Sequence, residues 1–303
     1  MLNPIHLRTL RECVSTGSFA EAARNLGYTA SAVSQQMFLL ERALGAALFE
    51  RSARSVRATA VAKLLAARSG AVLGALNMLE REARSMVLGE AGTLRLASFA
   101  TANARIVPAA LAAVVAKRPN AEVQLDEGDP DEVLAGVLDG GLDAAVVFEY
   151  DLDPRDWPVE LTRTELLSEP FVLAVPAEHR LADRTEADLA ECRDETWICP
   201  REDTAGARSL VRLAAEAGFV PRIIFRSNDY GVIRDLVFRG LGVAMLPGLA
   251  WPDGGIHPLR LTGRQPHRHV LVLHRDNNSN PLLPLALDCL AQASAEFTGA
   301  REW

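Results

Sequence analysis

The chain has 303 residues, of which 49% are hydrophobic and 23% charged; this is a globular balance that excludes a disordered protein, and the length calls for two or three compact units. The net charge of −7 excludes indiscriminate nucleic-acid binding, but residues 1–58 hold seven Arg and four Glu, a local +3 on a body that carries −10, the asymmetry expected when one end meets phosphate. No apolar run approaches the roughly 20 residues of a membrane helix and no secretory leader is recognisable, so a cytoplasmic protein without membrane contact is expected. Cys13, Cys192, Cys199 and Cys289 are too scattered for a disulfide framework and read as reduced thiols.

In chain order, residues 4–58 read as short helices and turns. The segment Ser18-Phe19-Ala20-Glu21-Ala22-Ala23-Arg24-Asn25-Leu26-Gly27 opens on a capping pair, Ser18 and Glu21, and closes on a glycine suited to a left-handed turn. Thr29 can then cap a second helix. Phe19, Ala22, Ala23 and Leu26 on the first helix match Val33, Met37 and Leu40 on the second, sharing a core with Leu7, Leu10 and Val14. With those residues inward, Ala30, Ser31, Ser34 and Gln35 face outward, a set able to enter a major groove: glutamine pairs twice with adenine, serine serves a base or phosphate, and alanine touches a thymine methyl. Arg51, Arg54 and Arg57 follow, separated by small residues, and suit phosphate contact or a minor groove. The competing reading is a helical protein-interaction domain with a solvated arginine face.

Residues 59–89 form one long predicted helix, capped by Thr59 and free of proline. Leu65, Val72, Leu76, Leu79, Ala83 and Met86 recur at three- and four-residue steps, a seam for a partner helix in a dimer. The alternative is a core helix of the region that follows.

From residue 92 strands and helices alternate. Strands are predicted at 94–97, 123–125, 144–148, 171–175, 196–199, 223–225, 243–246 and 270–273, with helices near 104–117, 130–139, 205–217, 229–239 and 281–297. This pattern predicts an α/β architecture with mostly parallel sheet, whose ligands bind where strands end and helices begin. At those turns lie Ser98, Phe99, Thr101, Glu127, Phe148, Thr204 and Asn228, the expected effector contacts. Helix starts there favour a carboxylate or other anion. Glu127, Asp129, Glu149 and Asp151 would repel one unless turned away, so an amino acid or other zwitterion satisfies both signs.

Other chemistry finds little support. Gly240 and Gly242 come after a helix and before a strand, the wrong order for a dinucleotide fingerprint, and read as a helix stop and tight turn. His257, His267, His269 and His274 have no acidic or cysteine partner at metal-ligand spacing. No Ser-His-Asp arrangement or P-loop is present, so neither cofactor, metal nor catalytic residue is expected. Cys199 on a strand and Cys192 at a helix end read as buried thiols rather than a redox switch.

The motifs Gly17-Ser18-Phe19, Ala22-Ala23 with Leu26, Val33-Ser34-Gln35-Gln36, Leu40-Glu41 with Leu44-Gly45, and Leu48-Phe49-Glu50-Arg51 resemble those of the LysR-type transcriptional regulators, and the resemblance extends over essentially the whole chain. It implies a winged helix-turn-helix over 1–58, a dimerising linker helix over 59–89, and an effector domain over 92–303 built like periplasmic binding proteins. That domain is expected as subdomain I, 92–166 plus 269–303, and subdomain II, 167–266, with the sensor cleft between. The resemblance also implies homodimers or homotetramers on double-stranded promoter DNA whose binding a small molecule modulates, and it assigns DNA contact to Ala30, Ser31, Ser34, Gln35 and Arg54. Two departures stand out: Phe38 and Leu39 replace commonly polar or basic residues, and Ala60-Val61-Ala62 replaces an Ala-Gly pair, favouring helix. The alternative from another class is a small-molecule-binding α/β protein or enzyme whose N-terminal helices only mediate assembly.

Overall fold

The computed structural model describes residues 2–51, 56–88, 92–251 and 255–299. They fall into two compact units, Met1–Gly89 with Ala135–Leu142, and Glu90–Leu134 with Asp143–Trp303.

In the first unit, α1 (Pro4–Thr16), α2 (Phe19–Asn25) and α3 (Ala30–Leu44) are each started by a side-chain cap: Asn3 accepts the Ile5 N–H, Ser18 that of Glu21 and Thr29 that of Ala32. Gly27, at φ +68°, turns the chain between α2 and α3 in a conformation that a side chain would strain. The helical period brings Leu7, Leu10 and Cys13 of α1, Ala22 and Ala23 of α2, and Val33, Met37 and Leu40 of α3 into one buried core. A two-stranded antiparallel wing, β1 (Phe49–Arg51) and β2 (Val56–Ala58), closes this core with Phe49, whose ring meets Phe19 edge-on at 5.0 Å. Next, α4 (Ala60–Leu88) runs for 29 residues, about 44 Å at the rise of an α-helix. Ala62, Leu65, Ala66 and Leu73 of α4 pack on the three-helix core. Leu65, expected at the partner seam, is therefore turned into its own domain; the seam periodicity overlaps the stripe that anchors the helix.

The second unit contains β3 (Thr93–Ser98), α5 (Ala100–Arg105), α6 (Val107–Lys117), β4 (Glu122–Glu127), the start of α7 (Pro130–Asp139), whose residues from Ala135 on fall in the first unit, β5 (Ala144–Tyr150) and the 16-residue β6 (Leu161–Pro176). There follow β7 (Glu186–Ala187), β8 (Thr196–Cys199), α8 (Ala205–Glu216), β9 (Arg222–Arg226), α9 (Tyr230–Phe238), β10 (Ala244–Pro247), β11 (Ile256–Leu261), β12 (His267–Arg275) and α10 (Leu283–Gly299). The main sheet runs β4-β3-β5-β12-β6-β11-β7, and β10 also pairs with β6.

The mostly parallel sheet expected from sequence is corrected at its centre. β3 is parallel to β4 and β5, and β8 to β9, but β12 is antiparallel to both β5 and β6, as are β10 and β11 to β6. The cause is connectivity: β6 carries the chain from one lobe to the other and β12 carries it back alongside, so the two must run in opposite directions. Each lobe has its own core. One gathers Leu94, Leu96, Ile106, Val146, Val270 and Leu290; the other Phe171, Leu173, Trp197, Leu210, Met245 and Leu259. Among the described residues no helix is long and apolar enough to cross a membrane.

Candidate DNA interface and effector cavity

On α3 the inward residues fix what is left outside. Thr29, Ala30, Ser31 and Gln35 are exposed and Ser34 is half-buried. Thr29 and Ser31 share a hydroxyl contact of 3.0 Å, which orders the start of the helix. The adjacent glutamines part company: Gln36 is turned inward, accepting the Thr9 hydroxyl at 2.5 Å, while Gln35 stays out. Phe38 and Leu39 are also exposed.

Arg57 lies exposed on β2; Arg54 and the side chain of Arg51 fall outside the described residues. The wing is held by a residue that sequence reasoning quoted only as part of a motif. Glu41 Oε1 accepts the backbone N–H groups of Leu48 and Phe49 at 2.8 and 3.3 Å, tying the end of α3 to β1. On α4, Val72, Leu76, Leu79 and Ala83 are exposed, and the side chain of Met86 falls outside the described residues.

A cavity of about 780 Å³ opens between the two lobes of the second unit. Phe99, Thr101, Glu127, Phe148, Thr204 and Asn228 line it. Ser98 is fully buried and does not; its hydroxyl has no hydrogen-bond partner. As the last residue of β3 it points into the core, and Phe99 rather than Ser98 precedes α5.

Several of these polar groups already have work within the fold. Thr204 Oγ1 donates to the Arg201 carbonyl and accepts the Ala207 N–H as the cap of α8. Asn228 Oδ1 accepts the Arg201 N–H at 2.9 Å, and Asp229, not Asn228, caps α9. The four loop acids divide: Glu127 and Asp129 line the cavity, whereas Glu149 accepts the Trp157 indole N–H at 2.8 Å and Asp151 accepts from His269 at 2.8 Å.

The largest feature missed by sequence is Arg268, which lines the cavity yet is only 1% exposed. Its Nε donates to Glu169 Oε1 at 2.5 Å and one terminal nitrogen to Thr101 Oγ1 at 2.9 Å. The guanidinium lies over the rings of Phe99 and Phe148, at 5.0 and 5.1 Å, a stacking that arginine's planar group favours. Glu169 also accepts the Leu249 N–H. Burial opposes the charge on Arg268, but Glu169 and the nearby tyrosines Tyr150 and Tyr230 outweigh it and hold the guanidinium protonated. Burial also pushes the Glu169 carboxyl up, against the pull of Arg268. The available signal was a charged residue two positions before each of two apolar runs, Phe171–Val175 and Val270–Leu273.

Residues 5–63 match the family described as bacterial regulatory helix-turn-helix protein, lysR family, and residues 88–295 match the LysR substrate binding domain. The chain belongs to the LysR family of transcriptional regulators. Among its relatives, the small neutral protease regulatory protein of Streptomyces lividans is 29% identical over 302 residues, covering 98% of this chain and 85% of that one. The HTH-type transcriptional regulator ShiR of Corynebacterium glutamicum is 32% identical over 247 residues, covering 79% and 81%. In fold, the LysR chain is similar to full-length OxyR of Pseudomonas aeruginosa, with TM-score 0.59, 23% identity and coverage of 97% and 95%. It is also similar to full-length CbnR complexed with its target DNA, with TM-score 0.55, 24% identity and coverage of 96% and 100%.

In this LysR regulator all four cysteines are buried. Burial raises the thiols of Cys192 and Cys199 to about 11 and that of Cys13 to about 12, which lowers the thiolate population needed for oxidation. The histidines have no acidic or cysteine partner at metal-ligand spacing in the sequence, but the sheet brings Asp151 and Glu165 to His269, at 2.8 and 3.3 Å. Among the described residues no group of three His, Cys, Asp or Glu is arranged to hold a metal ion.

Proposed function

We propose that this LysR regulator reads double-stranded promoter DNA with Thr29, Ala30, Ser31, Ser34 and Gln35 in the major groove and with Arg51, Arg54 and Arg57 on the flanking backbone or minor groove. A dimer formed along Val72, Leu76, Leu79, Ala83 and Met86 of α4 presents two such helices, and tetramers follow if two dimers associate. The cavity receives a small-molecule effector, a carboxylate or an amino acid, which changes promoter affinity.

The observation that carries this reading is the divergent fate of the two glutamines on α3. Gln36 is consumed by Thr9 while Gln35 stays exposed on the outer face together with Ala30 and Ser31, side chains of the kind that meet base edges.

Binding of the purified protein to fragments of its own upstream intergenic region, at two salt concentrations, tests it. Gln35→Ala is expected to cost about 1–3 kcal/mol of sequence discrimination, while Arg54→Ala weakens all sequences alike and lowers the salt slope by about one. Wild-type protein without preference for any such fragment, with or without added small molecules, would overturn the proposal.

A further inference from the structure

The outer face of α3 continues past the residues assigned to base contact. At about 100° per residue, Ser31, Gln35, Phe38 and Arg42 fall within about 60° of one another, on the side of the helix away from Val33, Met37 and Leu40. All four are exposed, and Phe38 keeps 52% of its surface open. Val33, Met37 and Leu40 belong to the three-helix core and Phe38 does not, so packing within the domain does not account for a phenylalanine at this position.

The charge pattern along this stripe is a second observation. Ser31, Gln35 and Phe38 are neutral, and the first cation on the stripe is Arg42, one turn beyond Phe38. Neutral side chains suit base edges, whereas a cation suits the phosphates at the rim of the groove. Phe38 lies on the base side of that boundary. It follows Gln35 by about 4.5 Å along the helix axis, little more than the step of about 3.4 Å between base pairs, so its ring falls one or two base pairs from the pair that Gln35 meets.

A major groove offers an aromatic ring one apolar group, the 5-methyl of thymine. Resting on the reading of α3 as the recognition helix, we infer that Phe38 is a specificity-determining residue whose ring packs against a thymine methyl beside the base pair met by Gln35. The contact removes apolar surface from water on both sides. Cytosine presents an amino donor and no methyl at the same edge, so it would lose that burial and leave its donor against a ring with no acceptor to offer. With Gln35 on an adenine, the stripe selects neighbouring A·T pairs in each half-site.

Footprinting of the full-length protein on its own upstream intergenic region locates the operator. Thymines in it are then replaced one at a time by uracil, which removes the methyl and leaves the hydrogen-bonding edge unchanged. Wild type is expected to lose about fourfold in affinity at one or two thymines per half-site, the effect of one methyl group. Phe38→Ala is expected to bind the unmodified operator at least about fourfold more weakly and to be indifferent to uracil at those same positions, while Phe38→Leu keeps part of the sensitivity. Unchanged melting temperatures show that the variants are folded. Wild type indifferent to uracil at every position overturns the inference, as does Phe38→Ala that retains the full uracil effect or sediments as a smaller species than wild type, which would assign the ring to a contact between chains. Wild type without any preferred fragment removes the recognition-helix reading as well, whereas a footprinted operator bound without methyl dependence overturns this inference alone.

Discussion

Glu169 and Arg268 are direct cross-strand partners, 99 residues apart in sequence and opposite one another where β6 and β12 pair. Both are sealed from solvent, and the antiparallel register alone brings them together. The pair joins the two strands that cross between lobes, and through Thr101 and Leu249 it reaches the start of α5 and the turn after β10.

Removing one member leaves a buried charge without its counterion, which costs about 3–5 kcal/mol. Glu169→Ala is therefore expected to lower the urea midpoint strongly, whereas Glu169→Leu with Arg268→Met, replacing both charges by apolar groups, costs less than either single removal. All four tryptophans belong to this half of the chain, so tryptophan fluorescence reports its unfolding. Additive losses in the double variant would show that the pair is not coupled.

Gly242 approaches the backbone so closely that a Cβ placed there would lie 2.4 Å from the Thr196 carbonyl oxygen. That carbonyl accepts the Val243 N–H, and the Val243 carbonyl accepts from Ile198, so neither side can withdraw without losing the join between β8 and the strand that follows Gly242. Gly242→Ala is expected to cost about 1–3 kcal/mol. Gly240→Ala, strained by its φ of +72° but with open space around it, is expected to cost less. Thermal melts of the two variants give the order directly.

The contrast between these two glycines marks what the sequence could reveal. Local signals were legible: the caps Ser18, Thr29 and Thr204, the turn at Gly27, and the buried stripes of α1 to α3 follow from spacing, because each depends on neighbours within a few residues. The reading of Gly240 as a helix stop belongs with them. What stayed hidden depends on register between distant strands. Arg268 against Glu169, His269 against Asp151, and Gly242 against Thr196 each require knowing which strand lies beside which, and the antiparallel return of β12 was not legible. Ser98 shows the same limit on a smaller scale, since a shift of one residue along β3 exchanges core for cavity.

The exposed α4 residues make a separate prediction. Leu79 is 63% exposed and Leu76 39%, on the part of α4 that follows Leu73, the last of its residues to pack on the three-helix core. Leu76→Glu with Leu79→Glu is expected to leave each chain folded and to shift sedimentation toward monomer. Promoter affinity is then expected to fall more than tenfold, because two linked recognition helices gain from effective concentration. A fully dimeric double variant would move the interface to another surface.

His269 connects three strands at the crossing between lobes, and its ionisation should be visible in stability. Burial disfavours its charge, but the hydrogen bond and charge of Asp151, followed by those of Glu165, outweigh burial and raise the imidazole pKa. Asp151 shows the reciprocal effect: burial pushes it up, but the bond from His269 and the His267 N–H bring it below its ordinary value. A histidine whose pKa is higher folded than unfolded contributes stability that is complete below about 6.5, its unfolded value, and is lost as pH rises through the folded value. The Asp151 contribution is retained throughout that range and disappears only when pH falls through its lowered folded value. The melting temperature of this half is thus expected to decline between pH 6 and pH 8.5, and His269→Gln should flatten that decline, since glutamine can keep a hydrogen bond to Asp151 but carries no titrating charge. An unchanged slope in His269→Gln would show that the dependence does not arise from this imidazole.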